Sequence, residues 1–197
     1  MDRYGLAPYK AFPTTCHHRK PLRMFEIQPI DPSFYRQQTR RSTLIIALIF
    51  LALAMLCATA STQVFGTPGG DNFTWNLLGV LVGLGLTIVL VRQQLWSRPF
   101  MAPAVYGWRL KRSLMRVTNV MHHVRAGVAQ GDESAMKLLR FYHLGVTQMH
   151  QLDGNSSELS QMVREIDSHR EAMEQQGLDI EQTRLDLAWL ERVKAFK

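Results

Sequence analysis

Histidine and cysteine side chains can bind a metal ion, but their spacing in this chain does not predict a metal site. Cys16-His17-His18 supplies zinc-type ligands, yet no second pair follows at the spacing that a zinc site needs. His143 and His150 share a predicted helical face, but Asp153 completes no recognised ligand set with them. The sequence therefore predicts no metal and no cofactor.

Carboxylates can serve as general acids or bases, and a group of them lies near the C-terminal end. Their spacing is typical of the solvated face of a helix. No Ser/His/Asp or Cys/His arrangement was found, nor an HExxH, P-loop or Rossmann motif. We therefore predict no catalytic residues. The carboxylates considered are Glu165, Asp167, Glu171 and Glu174.

Two long apolar runs dominate the chain, Leu44–Ala60 and Leu77–Val91. A helix needs about 20 mostly apolar residues to cross a hydrocarbon core of roughly 30 Å, and each run reaches that length with its weakly polar flanks. Neither run has the polar face that a helix of a soluble protein usually keeps. The sequence predicts an all-α membrane protein, with a two-span transmembrane helical hairpin followed by a small cytoplasmic helical domain.

The predicted boundaries follow from these runs and from the proline break after the second one. A cytoplasmic basic lead should precede the first span, and a short external loop should join the two spans. The predicted segments are the lead at 24–41, transmembrane helices at 42–62 and 74–92, the external loop at 63–73 and the helical domain at 99–197.

Residues 1–23 form a predicted tail of different character. They lack apolar periodicity and contain three prolines, so we expect disorder. The compact lead into the first span begins at Met24, which is the alternative to Met1 as initiator.

Lys and Arg residues set the predicted orientation, because they remain on the cytoplasmic side of a membrane span. Residues 43–91 contain one charged residue, Asp71, whereas residues 92–130 contain seven basic residues and no acidic ones. Both termini should therefore be cytoplasmic. The basic residues expected to set the topology and face the lipid are Arg36, Arg40, Arg41, Arg92, Arg98, Arg109, Lys111 and Arg112.

A cleaved signal peptide is the alternative interpretation of the first run. Arg40-Arg41, the apolar stretch and Ala58-Thr59-Ala60 together mimic a signal peptide with an A-x-A cleavage site. Cleavage would leave one span and the same cytoplasmic domain. Because small residues continue through the whole run, as in a packed membrane helix, we favour two spans.

Small residues recur on one face of each predicted span. The first span carries Ala54 and Ala58, and the second carries Gly79, Gly83 and Thr87, each four residues from the next. Small residues at this spacing let helix backbones approach closely. We expect the two spans to pack on each other here, with dimerisation through the two glycines as the alternative.

The first cytoplasmic helix is predicted from about Val105 to Ala129, because its apolar residues form a heptad seam. We expect this seam to pack against the next helix of the same chain, although packing between chains stays open. The seam residues are Leu110, Leu114, Val117, Met121, Val124 and Val128.

Three more helices are predicted downstream. Asp132 should cap the second, which ends at the turn signal Asp153-Gly154-Asn155. The third should begin at Ser156 or Ser157 and end at Gly177, and the last should span about Asp179 to Phe196.

The basic run from Arg92 to Arg125 suits three roles: setting topology, binding anionic lipid headgroups, or binding nucleic acid. No aromatic interleaving or recognised nucleic-acid fold accompanies it. We therefore predict contact with a lipid bilayer with anionic headgroups, and no nucleic acid. A protein partner or a second copy of the chain is expected as well.

Short motifs run through the chain: Asp71-Asn72-Phe73, Asn76-Leu77-Leu78-Gly79-Val80, Pro99-Phe100-Met101, Tyr106, Trp108-Arg109-Leu110-Lys111, Gly131-Asp132, Leu139-Arg140-Phe141-Tyr142 and Gln151-Leu152-Asp153. Together they resemble an uncharacterised family of small bacterial two-pass membrane proteins, a domain-of-unknown-function family. The resemblance covers roughly residues 24–155 and weakens beyond. It implies the two-span topology and a bacterial inner membrane, and it brings no established activity.

The sequence is compatible with three classes of function. We favour a non-enzymatic integral membrane protein that presents a cytoplasmic helical interaction module. The Gly-rich second span motivates the alternative of an accessory or regulatory subunit of an inner-membrane transport or envelope complex. A membrane-bound enzyme is the least favoured, because no catalytic constellation was found.

Overall fold

Helices account for most of the structure, a computed structural model that describes residues 25–155 and 157–196. The described chain divides into two units. The first unit comprises residues 25–36 and 106–196, and the second unit comprises residues 37–105. The predicted all-α class is confirmed, with the addition of one short pair of strands.

Helix α1 (Pro32–Phe65) contains the predicted first span but begins well before residue 42. Asp31 caps it: its Oδ1 accepts from the Ser33 hydroxyl at 2.7 Å and from the Ser33 backbone N–H at 2.6 Å. These hydrogen bonds lower the pKa of the Asp31 carboxyl. Asp followed by Pro at the first helical position is a helix-start signal, and it lies ten residues before the predicted start of the span.

Helix α2 (Phe73–Leu90) continues into a π-helical turn at Val91–Leu95. The loop before it is closed by Asn72, whose side chain accepts from the Thr67 N–H at 3.0 Å and donates to the Thr67 carbonyl at 3.2 Å. With the π-helical turn, this apolar helix has 23 residues, and α1 has 34. Both are long and apolar enough to cross a membrane.

The predicted single helix at 105–129 is wrong, because the chain forms two helices there. A 3₁₀ turn at Pro99–Met101 leads into α3 (Ala102–Thr118), and α4 (Met121–Ala129) follows after a break. Thr118, Asn119 and Val120 all have modest helix propensity, and the Thr118 hydroxyl bonds back to the Leu114 carbonyl at 3.1 Å. Val120 then leaves helical geometry with φ −118°.

Helix α5 (Glu133–Asp153) begins and ends where the sequence predicts. Asp132 accepts from the Ala135 N–H at 2.9 Å, which satisfies one of the free N–H groups of the first turn. Gly154 ends the helix at φ +73°, a left-handed conformation that favours glycine. Helix α6 (Ser157–Gln175) follows, in agreement with the predicted third helix.

The predicted last helix, 179–196, is wrong in its first half. Strand β2 (Arg184–Leu185) pairs antiparallel with strand β1 (Phe25–Glu26), and only α7 (Leu187–Val193) is helical. Phe25 lies opposite Leu185, and the Ile27 N–H donates to the Thr183 carbonyl at 2.9 Å. Residues 158 positions apart form this pairing, so local periodicity could not reveal it.

The core of the first unit is built by α3, α4, α5, α7 and β2. The predicted heptad seam lies in this core, since four of its residues are buried and Met121 and Val128 pack against them, so the seam packs within the chain. Gly145 allows α5 to approach α3 closely, because a Cβ atom there would lie 2.7 Å from Leu114 Cδ2. The four buried seam residues are Leu110, Leu114, Val117 and Val124.

The predicted basic lead at 24–41 is divided, because residues 25–36 belong to the first unit. Phe25, Ile27 and Ile30 pack against its core. The Gln28 N–H donates to the Tyr106 hydroxyl at 3.1 Å, and burial raises the pKa of Tyr106 to about 12. The predictions for the tail at 1–23, including Cys16-His17-His18, fall outside the described residues.

Candidate interaction surfaces

The predicted packing residues of the second unit face each other. A Cβ atom on Gly79 would lie 2.4 Å from Ala58 Cα, and one on Gly83 would lie 2.7 Å from Ala54 Cα. Side-chain carbons do not approach backbone carbons this closely, so the contact requires glycine at both levels. The structure therefore brings together four residues that were predicted from the sequence to pack the two helices: Ala54, Ala58, Gly79 and Gly83.

Thr87 is also buried on this side of α2. Its hydroxyl donates to the Gly83 carbonyl at 2.8 Å, within the same helix. A hydroxyl removed from water needs such a partner, and the backbone supplies it. The face that carries Gly79, Gly83 and Thr87 is therefore a packing face with its polar group satisfied.

We expect Gly83→Leu to weaken the packing of α1 against α2 by on the order of 1–2 kcal/mol, because the new side chain would push the backbones apart. Thermal unfolding and protease resistance in detergent measure the loss. Gly85→Leu is the matched control, since nothing lies within 4 Å of a Cβ atom at that position. Equal losses in the two variants would contradict a specific packing role for Gly83.

Two of the predicted basic residues are held by the C-terminal end of α5. Arg36 Nη1 donates to the Gln151 carbonyl at 3.3 Å and to the Leu152 carbonyl at 3.4 Å. Lys111 Nζ forms an ion pair with Asp153 at 3.1 Å. A cation beside the last carbonyls of a helix also interacts favourably with the helix dipole. Arg36 and Lys111 therefore have structural partners within the first unit.

The remaining predicted basic residues are solvent-exposed. In the second unit these are Arg40, Arg41, Arg92 and Arg98. In the first unit, Arg109 and Arg112 are exposed on α3, and the Arg112 guanidinium lies 5.2 Å from the centre of the Trp108 ring. This distance is within the range of a cation–π contact.

Helix α3 has one buried and one exposed side. Its buried side faces the core, and its exposed side combines cations with two large apolar side chains, Trp108 at 48% exposure and Met115 at 64%. We call this exposed side the Trp108 face. It consists of Trp108, Arg109, Arg112, Met115 and Arg116.

A buried pair of histidines joins α5 to α6. The rings of His143 and His169 meet edge to face, with centroids 5.3 Å apart. His169 Nε2 donates to the Met136 carbonyl at 3.0 Å. His143 is 0% exposed, and its ring nitrogens have no hydrogen-bond partner among the described residues, with Glu165 Oε1 3.9 Å from Nε2. His143 is thus a buried polar group that lacks close partners in this part of the chain.

Burial keeps both rings uncharged. Together with smaller effects of His169, Arg140 and Arg125, it lowers the pKa of His143 to about 3. Burial also lowers the pKa of His169, opposed in part by the hydrogen bond to Met136. Both imidazoles are therefore neutral at pH 7, and this contact joins the two helices without an ion pair.

The contact between these two histidines was not predicted from the sequence. The helical spacing places His143 on one face with His150, and it indicates no role for His169. A signal was present, because position 169 continues the apolar stripe of α6 formed by Met162, Ile166 and Met173. A polar residue among buried apolar positions indicates a specific contact in the core, whereas a polar residue on a solvated face does not.

Across residues 25–155 and 157–196, no group of three or more His, Cys, Asp or Glu side chains could hold a metal ion. Three other features of the described residues bear on function: the buried histidines, the α1–α2 contact and the Trp108 face.

Comparison with known proteins identifies a family. A family model described as "Protein of unknown function (DUF3087)" matches residues 25–190. The match extends the predicted resemblance, which weakened after residue 155, through most of the helical region. No curated protein and no solved structure matches the chain.

Proposed function

The chain belongs to this family of unknown function, and from its geometry we propose that it is an integral membrane protein that anchors a helical interaction unit to a bilayer through two transmembrane helices. The exposure of the two apolar helices carries the proposal. Only 6% of the most apolar stretch of α1 is buried within the protein. In the second apolar helix, only 17% of the most apolar stretch is buried.

Exposure of this extent argues against two core helices of a soluble protein. Their exposed residues include Leu51, Leu56, Leu81 and Ile88, each more than half exposed. Burying large apolar side chains stabilises a protein by about 1.5–3 kcal/mol each, so leaving so many in water would be strongly unfavourable. A hydrocarbon environment removes that penalty.

The first unit supports the role of an interaction module. It has its own core, in which Phe141, Leu138 and Val117 are fully buried. Because such a core fixes the positions of the helices, the unit can present a defined binding surface to a partner protein or to a second copy of the chain. The proposed role is one of contact, and it requires no catalytic residue.

The proposed location is a bacterial inner membrane, with both termini in the cytoplasm. The charge distribution supports this orientation. Arg40 and Arg41 precede the first apolar run, and Arg92 and Arg98 follow the second, whereas the loop between the two helices has one charged residue, Asp71. These four arginines are all solvent-exposed, as residues beside lipid headgroups must be.

A reporter that is active only outside the cytoplasm tests the orientation. Fused after Gly70, it should be active, and fused after Lys197 it should be inactive, because the positive-inside rule keeps the flanking arginines in the cytoplasm. Changing Arg92 and Arg98 to Gln should reduce the difference between the two fusions. The opposite pattern of activity would overturn the proposed orientation.

Membrane integration and partner contact are tested separately. The full chain should stay with membranes under carbonate extraction, and release would remove the proposed anchoring role. Affinity purification from mildly solubilised membranes should recover a reproducible partner or a second copy. The Phe141→Asp variant should lose it, because a carboxylate buried in the core should unfold the first unit, on which the recognised surface depends. A partner retained equally by that variant would place recognition elsewhere.

A further inference from the structure

We propose that the Trp108 face of α3 docks on a bilayer surface that carries anionic phospholipid headgroups. Trp108 and Met115 enter the interfacial region, and Arg109, Arg112 and Arg116 contact headgroup phosphates. The inference rests on the proposed function, since it supposes that the chain is held at a bilayer, and it names that bilayer as a partner of the first unit.

Helical spacing gives this face its shape. Trp108, Arg112 and Met115 follow one another at i, i+4 and i+7, so they form one stripe along α3. Arg109 and Arg116, seven residues apart, form a parallel row beside it. The opposite side of α3 is buried, so the helix cannot turn this stripe inward without breaking the core.

The apolar residues of the face have the chemistry of an interfacial anchor. Trp108 is 48% exposed and Met115 is 64% exposed, a pair of large side chains on one stripe of a helix whose other side is already packed. Tryptophan is enriched at membrane–water interfaces, where an amphipathic ring matches the headgroup region. Arg112, stacked on Trp108, places its charge at the edge of the apolar surface.

The charge of the face has one sign. All four charged residues of α3 are basic, and no acidic residue occurs from 92 to 130. Lys111 is paired with Asp153, whereas within the described residues no ion pair involves Arg109, Arg112 or Arg116. These three guanidiniums are therefore available for anionic groups, and guanidinium forms strong bidentate hydrogen bonds with phosphate.

A second copy of the chain fits this face less well than a lipid surface does. A symmetric dimer would bring the same patch of both copies together. The three arginines of one copy would then oppose the three arginines of the other, and like charges across an interface are unfavourable. An anionic bilayer offers opposite charge and an apolar layer below it, which matches both components of the face.

If the second apolar helix spans a bilayer, as proposed, the chain also tethers this face to that bilayer. Trp108 follows the second apolar helix after a short connection, and a site tethered in this way encounters the membrane at a high effective concentration. Each basic residue near an anionic surface contributes about a factor of five to binding. Removing three should therefore lower the ratio of docked to undocked protein about 100-fold.

The experiment places an environment-sensitive fluorophore on the Trp108 face. Met115→Cys is labelled in a chain in which Cys16 and Cys57 are changed to Ser, and the full chain is reconstituted in lipid nanodiscs. In discs containing phosphatidylglycerol, we expect blue-shifted emission and quenching by brominated lipids. In phosphatidylcholine discs, the label should emit as in water. Asn119→Cys, one turn further along this side, is a second labelling site.

One variant tests the role of the three arginines, and two controls separate that role from a change in net charge and from non-specific labelling. The triple variant Arg109→Gln, Arg112→Gln, Arg116→Gln should abolish the blue shift in anionic discs. A charge-matched triple variant, Arg164→Gln, Arg170→Gln, Arg192→Gln, should retain it. A label at Glu171→Cys on α6 should stay aqueous in both kinds of disc.

Each outcome decides between the proposals. Failure of the chain to enter nanodiscs would overturn the proposed function itself. Entry with an aqueous label at both sites, or a blue shift that survives the arginine triple variant, would overturn the docking inference alone. A blue shift in phosphatidylcholine discs, together with two copies of the chain per disc by native mass spectrometry, would overturn the docking inference. The partner of the Trp108 face would then be a second copy and not the lipid.

Discussion

Phe141→Ala should lower the free energy of unfolding of the first unit by about 3–5 kcal/mol, the range for removing a fully buried phenylalanine. Phe141 is 0% exposed in the middle of α5. Its ring meets Phe25 edge to face, with centroids 6.4 Å apart. The alanine variant would leave a cavity at the point where the N-terminal strand joins the helices, so α5 and β1 should loosen together.

Urea unfolding of the detergent-solubilised full chain, followed by tryptophan fluorescence, measures this loss. Phe141→Leu should recover a large part of it, because most of the apolar volume remains. Met115→Ala is the surface control and should change the free energy of unfolding by less than about 0.5 kcal/mol, since Met115 is 64% exposed. A loss below about 1 kcal/mol in Phe141→Ala would show that α5 does not pack as described.

Acidification should destabilise the first unit well above the pH at which carboxylates titrate. The pKa of His143 is about 3 in the folded chain, against an ordinary value of 6.5. Between these values the unfolded chain binds more protons than the folded one. The stabilising contribution is therefore complete above pH 6.5 and is lost as the pH falls, by about 1.4 kcal/mol per pH unit. The lowered pKa of His169 acts in the same direction.

Urea unfolding between pH 7.5 and pH 5 tests this dependence, and His143 alone should account for about 2 kcal/mol. His143→Leu should flatten the slope. It should also be neutral or stabilising at pH 7.5, because it replaces a buried polar ring with an apolar side chain of similar size. Val146→Ala is the control: it should lower stability equally at both pH values, since it removes volume and no titrating group. An unchanged slope in His143→Leu would refute the assignment.

The parts of the fold that were predicted from the sequence are those specified by neighbouring residues. The start of α5 follows from the side chain of Asp132, and its end follows from Gly154, so both were located correctly. The heptad seam predicted the buried side of α3 and α4, because burial repeats with the helical period. The proximity of Gly79 to Ala58 follows the same logic, since small residues repeat along one face.

The parts that were missed depend on distant residues. The C-terminal segment was predicted as one helix from Asp179 to Phe196, and its apolar residues Leu185 and Trp189 do have helical spacing. The pairing of Leu185 with Phe25 prevails there, because it buries Leu185, covers part of Phe25 and satisfies backbone groups across the pair. Likewise, the break at Asn119 and Val120 interrupts a seam whose apolar spacing is continuous. Apolar periodicity specifies which side is buried and does not specify where a helix stops.

The histidine pair was missed for a different reason. His143 and His169 lie on separate helices, and their contact arises only when α6 folds back on α5. The sequence reveals that position 169 belongs to a buried stripe, but the identity of its partner depends on how the two helices pack. Candidate polar contacts within a core are therefore less predictable than the core itself.

The strand pair imposes an order on biosynthesis. Arg184 is joined to the growing chain 158 residues after Glu26, with which it forms an ion pair. At about 5–20 residues per second, a ribosome needs roughly 8–30 s to cover that distance. Both apolar helices are made within this interval. Strand β1 therefore stays unpaired with β2 while the apolar segments are synthesised. The first unit can complete its folding only after both apolar helices have been made.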